Sequence, residues 1–115
     1  MDIDIYGIGN CDTMKRARAW LSAQGLDYRF HDYRKQGVDG DLLAHWCDAA
    51  GWQSLLNRKG TTWRSLPEAD RADVDRSRAM ALMMAHPSLI KRPVLMAGEA
   101  IEVGFSEDRY RALFA

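Results

Sequence analysis

The chain has 115 residues, enough to bury one hydrophobic core without disulfide staples. Apolar residues make up 47% and charged residues 28%, the balance of a globular chain. Lys+Arg and Asp+Glu number 16 each, so the formal net charge is zero, the basic surplus of a nucleic-acid binder is missing, and no direct nucleic-acid partner is expected.

The first segment, Met1-Asp2-Ile3-Asp4-Ile5, is acidic and lacks the basic, apolar pattern of a signal peptide. No apolar run reaches the roughly 18 residues of a membrane span. A cytoplasmic protein with no membrane partner is the expectation. In a reducing compartment its two cysteines, Cys11 and Cys47, read as free thiols.

Ile3 and Ile5 alternate with Asp4 and Tyr6, which predicts a strand ending in a loop at Gly7 and Gly9. From Asp12 the period changes: Met14, Ala17, Trp20 and Leu21 share one helical face, and Gly25 is a stop. Tyr28 to Tyr33 alternates again as a second strand. A helix between two strands favours a parallel pair. Lys35 to Asp41 reads as a loop, and Leu42 to Ala50 as a helix stopped by Gly51. A short helical turn follows over Trp52 to Leu56. Asn57 to Arg64 is polar and irregular, a predicted surface loop. Pro67-Glu68 starts another helix, and the face of Ala79, Leu82, Met83 and His86 belongs to one that ends near Pro87. Val94-Leu95-Met96, Gly98 and Ile101-Glu102-Val103 predict a hairpin. Ser106 caps a last helix with Glu107 and Asp108 in its first turn and Tyr110, Leu113 and Phe114 on its inner face. The order β-α-β, helical middle, β-β-α predicts an α/β fold, a mixed sheet flanked by helices with a helical insertion over about residues 36–88.

Cys11 lies where the first strand gives way to the first helix. A helix start presents unpaired N–H groups and about half a positive charge, which stabilises a thiolate. Lys15, four residues on, adds positive charge in this reading. The alternative is a small residue filling a turn. Three residues after Cys11 stands Met14, so no C-x-x-C dithiol exists, and the simplest resolving thiol is free glutathione. Cys47, flanked by Leu43, Trp46 and Ala50, reads as core packing. Arg92 could pair with an oxyanion or a carboxylate of glutathione, or be merely solvated. Pro93 fits a strand start. No metal site and no permanently bound cofactor is expected.

Four segments carry a resemblance: Gly9-Asn10-Cys11, Leu55 to Trp63, His86-Pro87-Ser88-Leu89-Ile90-Lys91-Arg92-Pro93, and Val103-Gly104-Phe105-Ser106-Glu107. Together they resemble the ArsC/Spx family, and specifically its YffB-like branch, over nearly the whole chain. The resemblance implies a thioredoxin-like fold, Cys11 as nucleophile, and Arg92 with a cis Pro93 beside it. It implies a glutathione-dependent thiol–disulfide oxidoreductase, arsenate reductase-like, with glutathione as co-substrate and a small thiol, disulfide or oxyanion as substrate. A glutaredoxin is an implied partner. The substrate- or glutathione-binding set is Asn10, Lys15, Arg58, Arg92 and Pro93, the middle-segment arginine of the arsenate reductases falling among Asn57, Arg58 and Lys59. Their arginine after the final hairpin is replaced here by Gly104-Phe105. The alternative function is that of the Spx regulators, non-catalytic docking on RNA polymerase, although Met14 interrupts the C-x-x-C that those regulators carry.

Overall fold

The computed structural model describes all 115 residues. The chain forms two compact units, one from Met1–Gln36 with Arg92–Ala115 and one from Gly37–Lys91.

In the first unit, strand β1 (Ile3–Gly7) turns Ile3 and Ile5 into the core, at 4% and 0% exposure. Helix α1 (Asp12–Ala23) buries the predicted face, Met14, Ala17, Trp20 and Leu21. Gly7 is required by this packing, since a Cβ there would run into the Met14 thioether. Strand β2 (Arg29–Asp32) lies parallel to β1, with Asp4 opposite Arg29 and Tyr6 opposite His31. Strands β3 (Val94–Ala97) and β4 (Ala100–Val103) form the predicted hairpin, turning at Gly98 with φ +60°. β3 pairs antiparallel with both β1 and β4, so the sheet order is β2-β1-β3-β4. This mixed sheet, entered through β-α-β and left through β-β-α, is the expected thioredoxin-like α/β arrangement.

On one face of the sheet, α1 and the last helix, α8 (Glu107–Leu113), supply Trp20 and Tyr110 to a cluster with Ile3, Ile5, Leu95 and Ala97. Trp20 and Phe105 both meet the Tyr110 ring edge-on, at 5.7 and 4.8 Å between centroids. The side chains of Asp4 and Tyr6 alternate with the buried isoleucines of β1 and meet Arg29 and His31 of β2 across the strands. Arg29 grips Asp4 bidentately at 2.8 and 2.9 Å, His31 Nε2 contacts the same carboxylate at 2.8 Å, and Tyr6 stacks on His31 at 4.4 Å.

The strand ending at Asp32 is shorter than the alternation predicts. Asp32 Oδ1 accepts from the backbone N–H groups of Arg34 and Lys35 at 3.0 and 3.2 Å. That cap turns the chain into a single helical turn, α2 (Tyr33–Gln36), and Tyr33 becomes its first residue rather than a strand residue.

The second unit is helical. α3 (Gly40–Ala50) buries Leu43, Trp46 and Cys47. α4 (Trp52–Leu55) follows directly, with Gly51 between them at φ +84°. The predicted loop at Asn57 to Arg64 is partly helical, because α5 (Thr61–Ser65) closes one turn with Ser65 Oγ donating to Thr61 O at 2.9 Å. So short a helix leaves no periodicity to read. α6 (Glu68–Arg71) is one turn, and α7 (Arg76–Ala85) starts at Asp75, whose side chain accepts from Arg78 N at 2.9 Å. α7 stops before Pro87, as predicted, and a 3-10 turn over Pro87–Leu89 leads out. Leu56 and Ile90 form an isolated antiparallel bridge, supported by Asn57 N to Leu89 O at 2.7 Å and Lys91 N to Leu55 O at 2.8 Å.

Back in the first unit, α8 (Glu107–Leu113) begins at Ser106, whose hydroxyl accepts from Arg109 N at 3.4 Å as the sequence predicts. No helix is long and apolar enough to cross a membrane.

Candidate functional site

Cys11 is the N-cap residue of α1, with extended backbone at φ −144° and ψ 130°. Its carbonyl accepts the first helical bond, from Lys15 N at 3.0 Å. The side chain is half-buried, open enough to react. Burial pushes the thiol pKa up, but this is outweighed by the Met14 N–H, the Arg92 guanidinium and the Thr13 N–H, all of which stabilise negative charge on sulfur. The net effect places Cys11 below the ordinary thiol value.

Arg92 comes from the other end of the chain, one residue before Pro93 at the entry to β3. The Arg92–Pro93 peptide bond is cis and Pro93 is buried. The pairing of β3 with β1 brings this segment beside the loop that ends β1. There the half-buried guanidinium hydrogen-bonds the Cys11 sulfur and the Tyr33 hydroxyl. Burial opposes its charge, but the contacts with Cys11 and Tyr33 more than compensate, so it stays cationic.

Two residues that sequence reasoning passed over shape this site. Asp32 Oδ2 accepts from Gly9 N at 3.3 Å and so ties the loop before Cys11 to the start of α2. Tyr33 follows it, 2% exposed. Burial pushes the Tyr33 hydroxyl well above its usual value, against the opposing influence of Arg92. The signal for both was an aspartate before a helix-compatible run, an N-cap pattern hidden by the strand-like alternation of Tyr28 to Tyr33.

The structure brings Arg92 to Cys11; Pro93 follows Arg92 in the chain, and Asn10, which precedes Cys11, is exposed. Lys15 differs from its expected role. Its side chain is exposed, and the cation that lowers the Cys11 pKa is Arg92. Lys15 contributes its backbone N–H instead. Arg58 belongs to the second unit, where its guanidinium lies 5.4 Å from the Trp52 ring centroid and 5.8 Å from that of Trp63. Cys47 is 4% exposed on α3, and burial pushes its thiol up, as core packing requires.

At the end of the hairpin, Gly104 adopts φ +82° and donates its N–H to Pro93 O at 2.8 Å. The Arg109 guanidinium lies beside it, 3.3 Å from where a Cβ would stand. Its charge is held by Glu102 Oε1 at 2.6 Å, with Val103 O at 3.2 Å.

The ArsC family model matches residues 6–113. A solved YffB protein is 51% identical, with TM-score 0.95, covering 98% of this chain and 99% of its own. An arsenate reductase (ArsC) related protein from Brucella melitensis is also 51% identical, with TM-score 0.78, over 99% of this chain and 95% of its own. The global transcriptional regulator Spx of Streptococcus pyogenes is 25% identical over 108 residues, 92% of this chain and 80% of the regulator. The matched span runs from the last turn-facing residues of β1 through the final helix, and so takes in both ends of the Cys11–Arg92 contact: the chain belongs to the ArsC family.

Proposed function

We propose that the protein is a glutathione-dependent thiol–disulfide oxidoreductase working through the single thiol of Cys11. The observation that carries this reading is the Arg92 guanidinium held against the Cys11 sulfur at the start of α1. In the first step the Cys11 thiolate attacks the glutathione sulfur of a mixed disulfide R–S–S–G. A Cys11–glutathione disulfide forms, and RS⁻ leaves to take a proton from solvent. In the second step the thiolate of another glutathione attacks the glutathione sulfur of that adduct. Oxidised glutathione leaves and the Cys11 thiolate returns. One substrate disulfide is reduced to a thiol, and the electrons come from glutathione. Arg92 stabilises Cys11 both as attacking and as leaving group. In this reading Asn10, next to Cys11, and the backbone at Pro93, next to Arg92, bind the tripeptide, with Lys15 available to a carboxylate.

An external thiol is supported by the core positions of its internal rivals. Met14 is fully buried at the place where a C-x-x-C partner would stand, and Cys47 is buried with a raised pKa. Arsenate is the poorer substrate. A compact oxyanion needs several converging donors, and losing one costs about 10²–10³ in rate. Gly104 offers no side chain, and its neighbour Arg109 is neutralised by Glu102. The reading includes a cytoplasmic setting, where glutathione is reduced. A second reading, a non-catalytic regulator that docks on a protein, is favoured by the similarity to Spx.

The test is turnover, with glutathione, of a glutathione mixed disulfide and separately of arsenate. The disulfide is turned over, arsenate weakly or not at all, and both Cys11→Ser and Arg92→Ala lose the disulfide activity. Disulfide turnover indifferent to Cys11→Ser, or efficient arsenate turnover, contradicts the proposal. Absence of any turnover favours the regulator.

A further inference from the structure

Three of the protein's other arginines are paired with carboxylates. Arg29 is held by Asp4, Arg76 by Asp48 at 2.7 Å, and Arg109 by Glu102 at 2.6 Å. Arg92 has the sulfur of Cys11 and a phenol, Tyr33, among its hydrogen-bond partners. Arginine only donates, so the Tyr33 oxygen is the acceptor of that bond.

We infer that Tyr33 is a positioning residue of the thiol site, its buried hydroxyl anchoring the Arg92 guanidinium so that the same planar fork meets the Cys11 sulfur. This rests on the reading of Cys11 as the reactive thiol. The geometry that supports it is local and rigid. Tyr33 is 2% exposed, so its ring is fixed by packing. The residue before it, Asp32, is bonded through one oxygen to Gly9 N, in the loop that leads to Cys11, and through the other to the N–H groups of Arg34 and Lys35. The anchor and the nucleophile are therefore tied to one short stretch of backbone.

A phenol has a property here that a carboxylate lacks. A carboxylate against Arg92 would cancel the charge that the thiolate needs. Burial keeps Tyr33 neutral at physiological pH, so it fixes the guanidinium by an accepted hydrogen bond and leaves the positive charge directed at sulfur. The charged groups acting on the Tyr33 hydroxyl are Arg92, Cys11 and Asp32, and Asp32 spends its oxygens on backbone N–H groups. The arrangement also predicts that Arg92 keeps its place when Cys11 enters a neutral disulfide and no longer attracts it.

The test is the pH profile of Cys11 alkylation by iodoacetamide in wild type, Tyr33→Phe, Arg92→Ala and the double variant, with folding checked by circular dichroism. The wild-type midpoint lies below the ordinary thiol value of about 8.5. Tyr33→Phe moves it upward, and adding Arg92→Ala to Tyr33→Phe moves it less than Arg92→Ala moves the wild type. A folded Tyr33→Phe with the wild-type midpoint, or shifts that simply add, overturns the role of Tyr33 while leaving Cys11 activated. A wild-type midpoint at or above 8.5 overturns the reading of Cys11 itself. Should Tyr33→Phe fail to fold, the ring signals of Tyr33 in labelled protein decide. They move in Arg92→Ala if the bond exists, and unmoved signals contradict it.

Discussion

Arg92 hydrogen-bonds the sulfur of Cys11, although one residue enters β3 and the other starts α1. The contact is a product of the sheet. β3 runs antiparallel to β1, so the segment before β3 ends where β1 ends, and the helix that follows β1 starts there too. Backbone N–H groups and a guanidinium thus converge on one thiol from elements far apart in sequence. The thiolate is favoured while the side chain stays accessible, the combination that marks reactive cysteines.

Removing the guanidinium therefore costs reactivity near neutral pH. Arg92→Ala leaves the Met14 and Thr13 N–H groups in place but deletes a hydrogen bond and a charge. The Cys11 pKa rises, the thiolate fraction at pH 7 falls, and alkylation at pH 7 slows. The rate at pH 10, where the thiol is ionised in either protein, changes far less. A rate ratio independent of pH would show that Arg92 acts on access rather than on ionisation.

The close approach of β1 and α1 makes a stability prediction. A methyl at position 7 meets the fully buried Met14 side chain. Overpacking of this kind costs about 1–3 kcal/mol. Gly7→Ala lowers the denaturation midpoint accordingly, and Met14→Leu in the same chain recovers part of the loss by removing the thioether end. A Gly7→Ala variant of wild-type stability would refute the contact.

Asp4 makes the stability of the fold depend on acid. The bidentate Arg29 lowers its pKa to about 2, against the opposing effect of burial and with a further lowering contribution from His31. A carboxyl whose folded pKa lies below its unfolded value of about 3.9 stabilises the fold above that value. The contribution disappears as the pH falls from about 4 to about 2. Denaturant unfolding of wild type and Asp4→Asn at several pH values checks this. The stability gap between them is present at pH 6 and shrinks toward pH 2, whereas a gap constant over that range would exclude the ion pair as its source.

What the sequence displayed and what it concealed follow from range. β1, α1, the hairpin and the Ser106 cap were legible because each is written in a local pattern: Ile3 and Ile5 alternating, Met14 to Leu21 on one helical face, Gly98 at a turn, Ser106 before two acids. α5 was hidden because a five-residue helix shows too little of a period. The start of α2 was hidden because Tyr28 to Tyr33 alternates like a strand, and only the Asp32 side-chain bonds reveal the turn. At the site, Cys11 was legible from its strand–helix junction. That Arg92 rather than the nearer Lys15 activates it was not, since the four-residue spacing suggested a contact and strand pairing supplied a different one. Tyr33 was invisible as a site residue because a tyrosine in an alternating run reads as packing.

The central claim, that Cys11 alone carries glutathione through the reaction, is tested most directly by mass spectrometry of the intact folded protein after exposure to oxidised glutathione, followed by peptide mapping. The account predicts one glutathione adduct, located on Cys11, absent in Cys11→Ser and removed by reduced glutathione. An adduct that persists in Cys11→Ser, or a folded wild-type protein that forms none, would contradict it.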